Sequence, residues 1–376
     1  MKIILDPQIF NEQRFGGISR YFTELFLVFN KEDDIDIECP IFFSDNLHLK
    51  EAGLFQTKEN KFFKSKWCPK FIRKKFLKKK KLSNINTTIK VLKESNFDLF
   101  IPTYFDPYFL EYLQDKPFVL TVYDMIHELF PQHYLGENQK TIINKKLLME
   151  KATKIIAISE STKNDIIKLY PHIDAFKIEV VYLSHSIKVN HKPTLNLPKD
   201  YILFVGNRNV YKNFIFFLKA VASLLHSNSN LFVVCAGGNK IQSEERKLIQ
   251  ELKLTKQVIQ NNFEDYELAT YYSNAKCFVF ASEYEGFGIP VLESMACGCP
   301  VVLANHSSFP EVAGDAGVYF ELHNAIDLKQ KVESLLTNEK LRKDYILKGL
   351  IQVQKFNWEK TAMECKKVYQ KAIVKC

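Results

Sequence analysis

Glycine is scarce in this chain, 13 of 376 residues, so each one marks a place where the backbone turns left-handed or admits a close neighbour. The eight cysteines form no CxxC pair, and only Cys297 and Cys299 lie close together. That excludes the disulfide framework of a small secreted domain and suits free thiols in a reducing compartment. No apolar run approaches the roughly 18 residues of a membrane span, and the opening MKIILDPQIF is too short for the core of a secretory signal. No short repeat of a solenoid is present. Composition, 46% apolar and 25% charged, is that of a folded chain rather than a disordered one. At about 150 residues per domain the length implies two or three domains. A cytosolic protein, touching at most a membrane surface, is the expectation.

Lysine and arginine number 52 against 43 aspartates and glutamates, a net charge of +9. This favours anionic partners: nucleotides, phosphates, acidic headgroups. The surplus is concentrated in residues 64–81, where Lys64, Lys66, Lys70, Arg73, Lys74, Lys75 and residues 78–81 alternate with Trp67, Phe71, Ile72, Phe76 and Leu77. Such a segment either lies on an anionic membrane or forms a solvated loop or helix. No RRM or KH signature accompanies it, so nucleic acid is not expected. Asp34-Ile35-Asp36 spells a DxD triplet, but in an acid-rich turn entering a strand it reads as a solvated turn rather than a metal site.

Apolar β-type runs at 2–5, 35–43, 97–101, 118–122, 154–158 and 179–183 alternate with helix-period stretches, the pattern of a parallel α/β sheet. After a polar segment, 188–200, with Pro193 and Pro198, the pattern restarts at 201–205, 231–236, 257–261, 277–281 and 300–304. Two α/β domains, 1–187 and 200–355, are expected on either side of that linker. In the last helix Trp358, Ala362, Cys365 and Tyr369 form one apolar stripe that needs a partner surface.

Three glycine constellations carry the candidate chemistry. Gly16-Gly17 opens an amphipathic helix bearing Ile18, Phe22, Leu25, Phe26 and Phe29. It is either an anion site made of bare N–H groups or a tight turn with no ligand. A strand ends at Gly206-Asn207, followed by Arg208 and Lys212, four apart. The two cations either clamp a pyrophosphate or form a solvated basic turn. Glu285-Gly286-Phe287-Gly288-Ile289-Pro290 leads into a short helix carrying Glu293 and closed by Gly298. There, N–H groups at Gly288 and Ile289 suit phosphate oxygens, and two carboxylates suit paired sugar hydroxyls. Glu293 reads equally as a favourable partner for the helix dipole.

These segments resemble the retaining nucleotide-sugar glycosyltransferases of family 4. The similarity runs through YILFVGNRNVYKN, EGFGIPVLESMACGCPVV and SSFPEVAGDAGVYF, and more thinly through FGGISRYF. The resemblance implies the α/β GT-B fold, two Rossmann-like doubly wound domains facing a cleft, with the 356–376 helix packing back on the first. It implies that Glu293 holds the nucleotide ribose and Glu285 meets donor-sugar hydroxyls. Arg208 and Lys212 would stabilise the diphosphate, the loops at Gly206-Asn207 and Phe287-Gly288-Ile289 would line the donor, and Gly16 and Gly17 would lie against the phosphates. No metal or other cofactor is implied. Where relatives carry a His-Asp pair, this chain has Tyr123-Asp124. Asp124 matches, and His127 is near enough to supply the histidine's polar contact to donor or acceptor, or to be a buried hydrogen-bonding residue.

The expected activity is transfer of a hexosyl group, mannose preferred, from a GDP- or UDP-linked sugar to a glycan or lipid-linked glycan in surface polysaccharide or lipopolysaccharide synthesis. Two rivals stand beside it. A nucleotide-sugar epimerase would convert UDP-GlcNAc to UDP-ManNAc without acceptor. A non-catalytic nucleotide-binding scaffold at a membrane would tolerate Glu285→Ala.

Overall fold

The structure is a computed structural model that describes residues 1–54, 70–133, 138–189, 193–208 and 210–374. It divides into two compact units. The first comprises Met1–Ile158, Thr162–Val181 and Trp358–Cys376, and the second Ser159–Ser161 and Tyr182–Asn357.

The first unit carries β1 (Lys2–Leu5), β2 (Asp36–Glu38), β3 (Leu99–Ile101), β4 (Val119–Val122), β5 (Lys154–Ala157) and β6 (Ile178–Val180); all but β2, an edge strand with Asp36 and Glu38 exposed, are rich in Ile, Leu and Val. Strands buried on both faces need such side chains, and every pairing is parallel. The orders are β2-β1-β3 and β4-β5-β6, joined by a Phe100–Phe118 bridge. The strand expected over 35–43 shortens to Asp36–Glu38. Pro40 follows it, and the buried Asn84 side chain takes the Phe42 and Phe43 N–H groups at 2.7 and 2.9 Å, so they never reach a ladder.

The apolar stripe of the last helix, Trp358–Val374, is buried against the helix Gly17–Phe29. Phe29 and Tyr369 ring centroids are 6.0 Å apart, Tyr21 and Trp358 6.3 Å, and the Tyr21 hydroxyl lies 3.4 Å from Cys365 Sγ. Lys366 on the same helix bonds Glu32 at 3.0 Å and Asp34 at 2.7 Å, so the DxD triplet is part of a surface ion-pair cluster.

The second unit carries β7 (Asp200–Val205), β8 (Leu231–Ala236), β9 (Val258–Asn261), β10 (Cys277–Phe280), β11 (Val301–Ala304) and β12 (Gly317–Phe320). They form one parallel sheet in the order β12-β11-β10-β7-β8-β9. This is the Rossmann order, whose direction reverses between β7 and β10; ligands bind outside the carboxyl ends of strands at such a switch point. Sequence reading misses β12, a four-residue edge strand whose Tyr319 hydroxyl folds back onto the Gly314 carbonyl at 2.7 Å.

The break between the two units falls after Val181. Tyr182 packs its ring 6.0 Å from both Phe287 and Phe356, which ties the following residues to the second core. Residues 64–69 of the basic stretch lie outside the described residues; the remainder begins the helix Lys70–Glu94.

Candidate functional site

At the switch point of the second unit, β7 is followed by Gly206, which takes φ +91° in open space, so left-handed backbone rather than crowding calls for glycine. The chain then makes a 3-10 turn, Val210–Lys212, pinned where Glu283 N–H donates to the Tyr211 carbonyl at 2.8 Å. Lys212 Nζ forms an ion pair with Glu285 Oε1, each side chain 16% exposed, and lies 4.9 Å from the Phe280 ring centroid.

The loop carrying Glu285 is held by its main chain. Ser307 Oγ donates to the Glu285 carbonyl at 2.7 Å, and the buried Ser308 Oγ reaches the Glu285 and Phe287 carbonyls at 2.9 Å each. Gly288, at φ +96°, opens the helix Ile289–Ala296; a Cβ there would meet the Phe309 ring at 3.3 Å. The first turn of this helix projects positive potential. Glu293 is half-buried on it, with the Tyr272 hydroxyl donating to Oε2 at 3.4 Å. Burial and the neighbouring Glu293 push the Tyr272 hydroxyl pKa well up, so it stays a donor. The site thus brings together Lys212, Glu285 and the glycine-opened helix bearing Glu293.

Two of the expected site residues have buried side chains. The Arg208 side chain is 1% exposed and its Nε donates to Glu245 at 2.9 Å. Its terminal nitrogens donate to the carbonyls of Gly237, Gly238, Asn239 and Lys240 at 2.9–3.2 Å. The guanidinium is spent on organising the loop after β8. Phe287 is a core residue, 2% exposed between Tyr182 and Phe356, so only its main chain borders the loop. Asn207 is exposed and Ile289 half-buried.

In the first unit Gly16 is extended, and a Cβ would lie 2.4 Å from Gln13 Oε1, the far end of a flexible side chain. The same Gln13 oxygen accepts Ser19 N–H at 3.2 Å, while Gly16 N–H points to His48 Nε2 at 3.4 Å. Gly17 is exposed at the helix start, with no side-chain cap beside it. Tyr123 is buried and donates to the Thr103 carbonyl at 2.8 Å, which leaves it a structural role. Asp124 Oδ1 accepts Ile126 N–H at 3.1 Å, fixing the turn into the helix Ile126–Leu129 that carries His127. His127 is half-buried, and desolvation, then the Lys145 charge, hold its ring below the usual histidine range.

Sequence reasoning passed over Ser307, Ser308, Tyr272, Glu128 and Lys145. The serines lie inside the motif SSFPEVAGDAGVYF, but nothing in their spacing marks a pair that clamps a loop 21–23 residues earlier.

Two family models match consecutive parts of the chain: Glycosyltransferase Family 4 over residues 47–184 and Glycosyl transferases group 1 over residues 187–350. The chain belongs to the GT-B glycosyltransferases of family 4. Among the relatives of this family 4 glycosyltransferase is the serotype-specific mannosyltransferase WbdA of Escherichia coli, 30% identical over 263 residues. That match covers 65% of the chain and 32% of WbdA. The N-acetylgalactosamine-N,N'-diacetylbacillosaminyl-diphospho-undecaprenol 4-alpha-N-acetylgalactosaminyltransferase of Campylobacter jejuni is 31% identical over 243 residues, 62% of this chain and 65% of its own. The chain therefore spans about a third of WbdA and under two thirds of the Campylobacter enzyme. Among solved structures, sucrose-phosphate synthase from Thermosynechococcus elongatus superposes with a TM-score of 0.73 at 18% identity, over 100% of both chains. Anabaena HepE in complex with UDP and glucose gives 0.70 at 15%, over 98% of both. Both share the fold.

Proposed function

We propose that this family 4 glycosyltransferase moves a hexosyl group from a nucleoside-diphosphate sugar to a hydroxyl of a glycan or lipid-linked glycan, with retention of configuration, in surface polysaccharide synthesis. The observation that carries the reading is the Lys212–Glu285 pair at the switch point, beside the helix bearing Glu293. In this reading the bond between the anomeric carbon and the diphosphate oxygen breaks, and the acceptor oxygen attacks on the face the diphosphate leaves. The acceptor proton passes to a departing phosphate oxygen. Negative charge grows on the diphosphate, and in this reading Lys212 and the helix N-terminus supply the positive potential that stabilises it. Glu285 takes sugar hydroxyls and Glu293 the ribose.

With that positive potential supplied by the chain, the reaction runs without a metal, and activity is expected to persist in excess EDTA. GDP-mannose is the proposed donor, supported by the mannosyltransferase name of WbdA. Thermal stabilisation by a panel of GDP, UDP and their sugars tests it, since a ligand raises apparent stability as RT ln(1 + [L]/Kd). Glu285→Ala is expected to abolish transfer while the melting curve stays cooperative. Full activity in that variant would overturn the reading, and UDP-ManNAc formed from UDP-GlcNAc without acceptor would replace it with an epimerase.

The proposed place of action is the cytoplasmic face of a membrane. No helix among the described residues is long and apolar enough to cross one, so contact would be peripheral, through the basic residues 64–81. Retention on anionic but not neutral vesicles tests it.

A further inference from the structure

Lys145 is an unusual lysine. Its side chain is 0% exposed and that of its partner Glu128 5%. From the helix Asn138–Lys151 it passes 5.4 Å from the Phe105 ring centroid. Its Nζ donates to Glu128 Oε2 at 2.8 Å and to the Asp124 main-chain carbonyl at 3.0 Å. A buried ion pair is no better for stability than apolar side chains of the same volume, so its presence calls for another account. What the ammonium grips is one short turn. Asp124 is held at its carbonyl by Lys145 and at its carboxylate by Ile126 N–H, Glu128 is held directly, and His127 lies between them.

We propose that Lys145 is a positioning residue that fixes the Asp124–Glu128 turn, and with it the Asp124 carboxylate and the His127 ring, in the arrangement substrate meets. The inference rests on the reading that Asp124 and His127 face donor or acceptor. Electrostatics support it. Desolvation and the Lys145 charge lower the His127 pKa against the opposing pull of Asp124 and Glu128, and Tyr170 faces Glu128 from the chain beyond the helix Glu160–Leu169. A neutral imidazole can accept a hydroxyl proton or hydrogen bond; an imidazolium cannot. Lys145 thus fixes the turn that carries the ring and adds to the desolvation that keeps it neutral.

The test uses the full chain with 15N-labelled histidine, the His127 signals being identified by their loss in His127→Gln. Lys145→Met combined with Glu128→Gln removes both buried charges at nearly constant volume. Lys145→Met alone strands a carboxylate and is the variant at risk of unfolding. In the double variant the His127 titration midpoint is expected to rise, because the lost cation outweighs the lost Glu128. kcat is expected to fall on the order of a hundredfold, as for a misplaced catalytic group, with KM for donor unchanged. An unmoved or lowered midpoint, or wild-type kcat, overturns the proposal. The titration is read without substrate, so an inactive wild-type chain would count against glycosyl transfer and leave the midpoint to decide on Lys145.

Discussion

Arg208 and Lys212 sit four residues apart and do opposite work. Arg208 turns its charge inward onto Glu245 and four carbonyls, so Arg208→Ala leaves a buried carboxylate unpaired. That should cost about 3–5 kcal/mol, read as a lower urea midpoint. Lys212→Met should leave the midpoint nearly in place and lower kcat by about 10²–10³-fold, the size of effect seen when one preorganised electrostatic donor is removed. The two cations were legible as a pair in the sequence; which one faces inward was not, because Glu245 and the 237–240 carbonyls come from a different βα unit. Asp6, at the end of β1, was not legible at all. It is fully buried, accepts the Tyr108 hydroxyl at 2.6 Å, and burial raises its pKa from 3.8 to about 7. The folded chain therefore holds a proton that the unfolded chain releases, and stability falls as pH rises through that window, by on the order of 4 kcal/mol in full. Asp6→Asn should flatten unfolding free energy against pH there and make the protein more stable than wild type above it.

Among the elements, the strands of both sheets were readable from apolar runs because parallel strands are buried on both faces. Ends were less so: the 35–43 run loses its second half to the Asn84 side chain, a contact forty residues away in sequence. The glycine-opened helix at Ile289 was legible from Gly288, Pro290 and Gly298, whereas the serine clamp beneath it was not. Gly288 combines left-handed backbone with the Phe309 ring at 3.3 Å. Gly288→Ala should strain the loop by about 1–3 kcal/mol and weaken nucleotide binding more than it lowers the melting temperature. Calorimetric titration with the nucleotide that stabilises wild type checks this.

Across the whole molecule, the two units close differently. The second is built from one continuous run, Tyr182–Asn357, plus three residues, while the first is completed by Trp358–Val374. Deleting residues 358–376 uncovers Tyr21 and Phe29 and removes the buried Trp358, Val368 and Tyr369. Fully buried side chains of this size contribute about 1.5–3 kcal/mol each, so the loss rivals the stability of a typical domain. The truncated chain is expected to be insoluble, and co-expressing the missing helix should recover part of it.

That closing helix also orders events at the ribosome. Domains generally fold as units while synthesis proceeds from the N-terminus, yet the first unit waits until Trp358–Val374 has been translated, after all of the second. The segment made second can finish its core while the one made first still shows an apolar groove to the crowded cell. Nascent-chain chaperones therefore have most to shield in the half of the enzyme that emerged earliest.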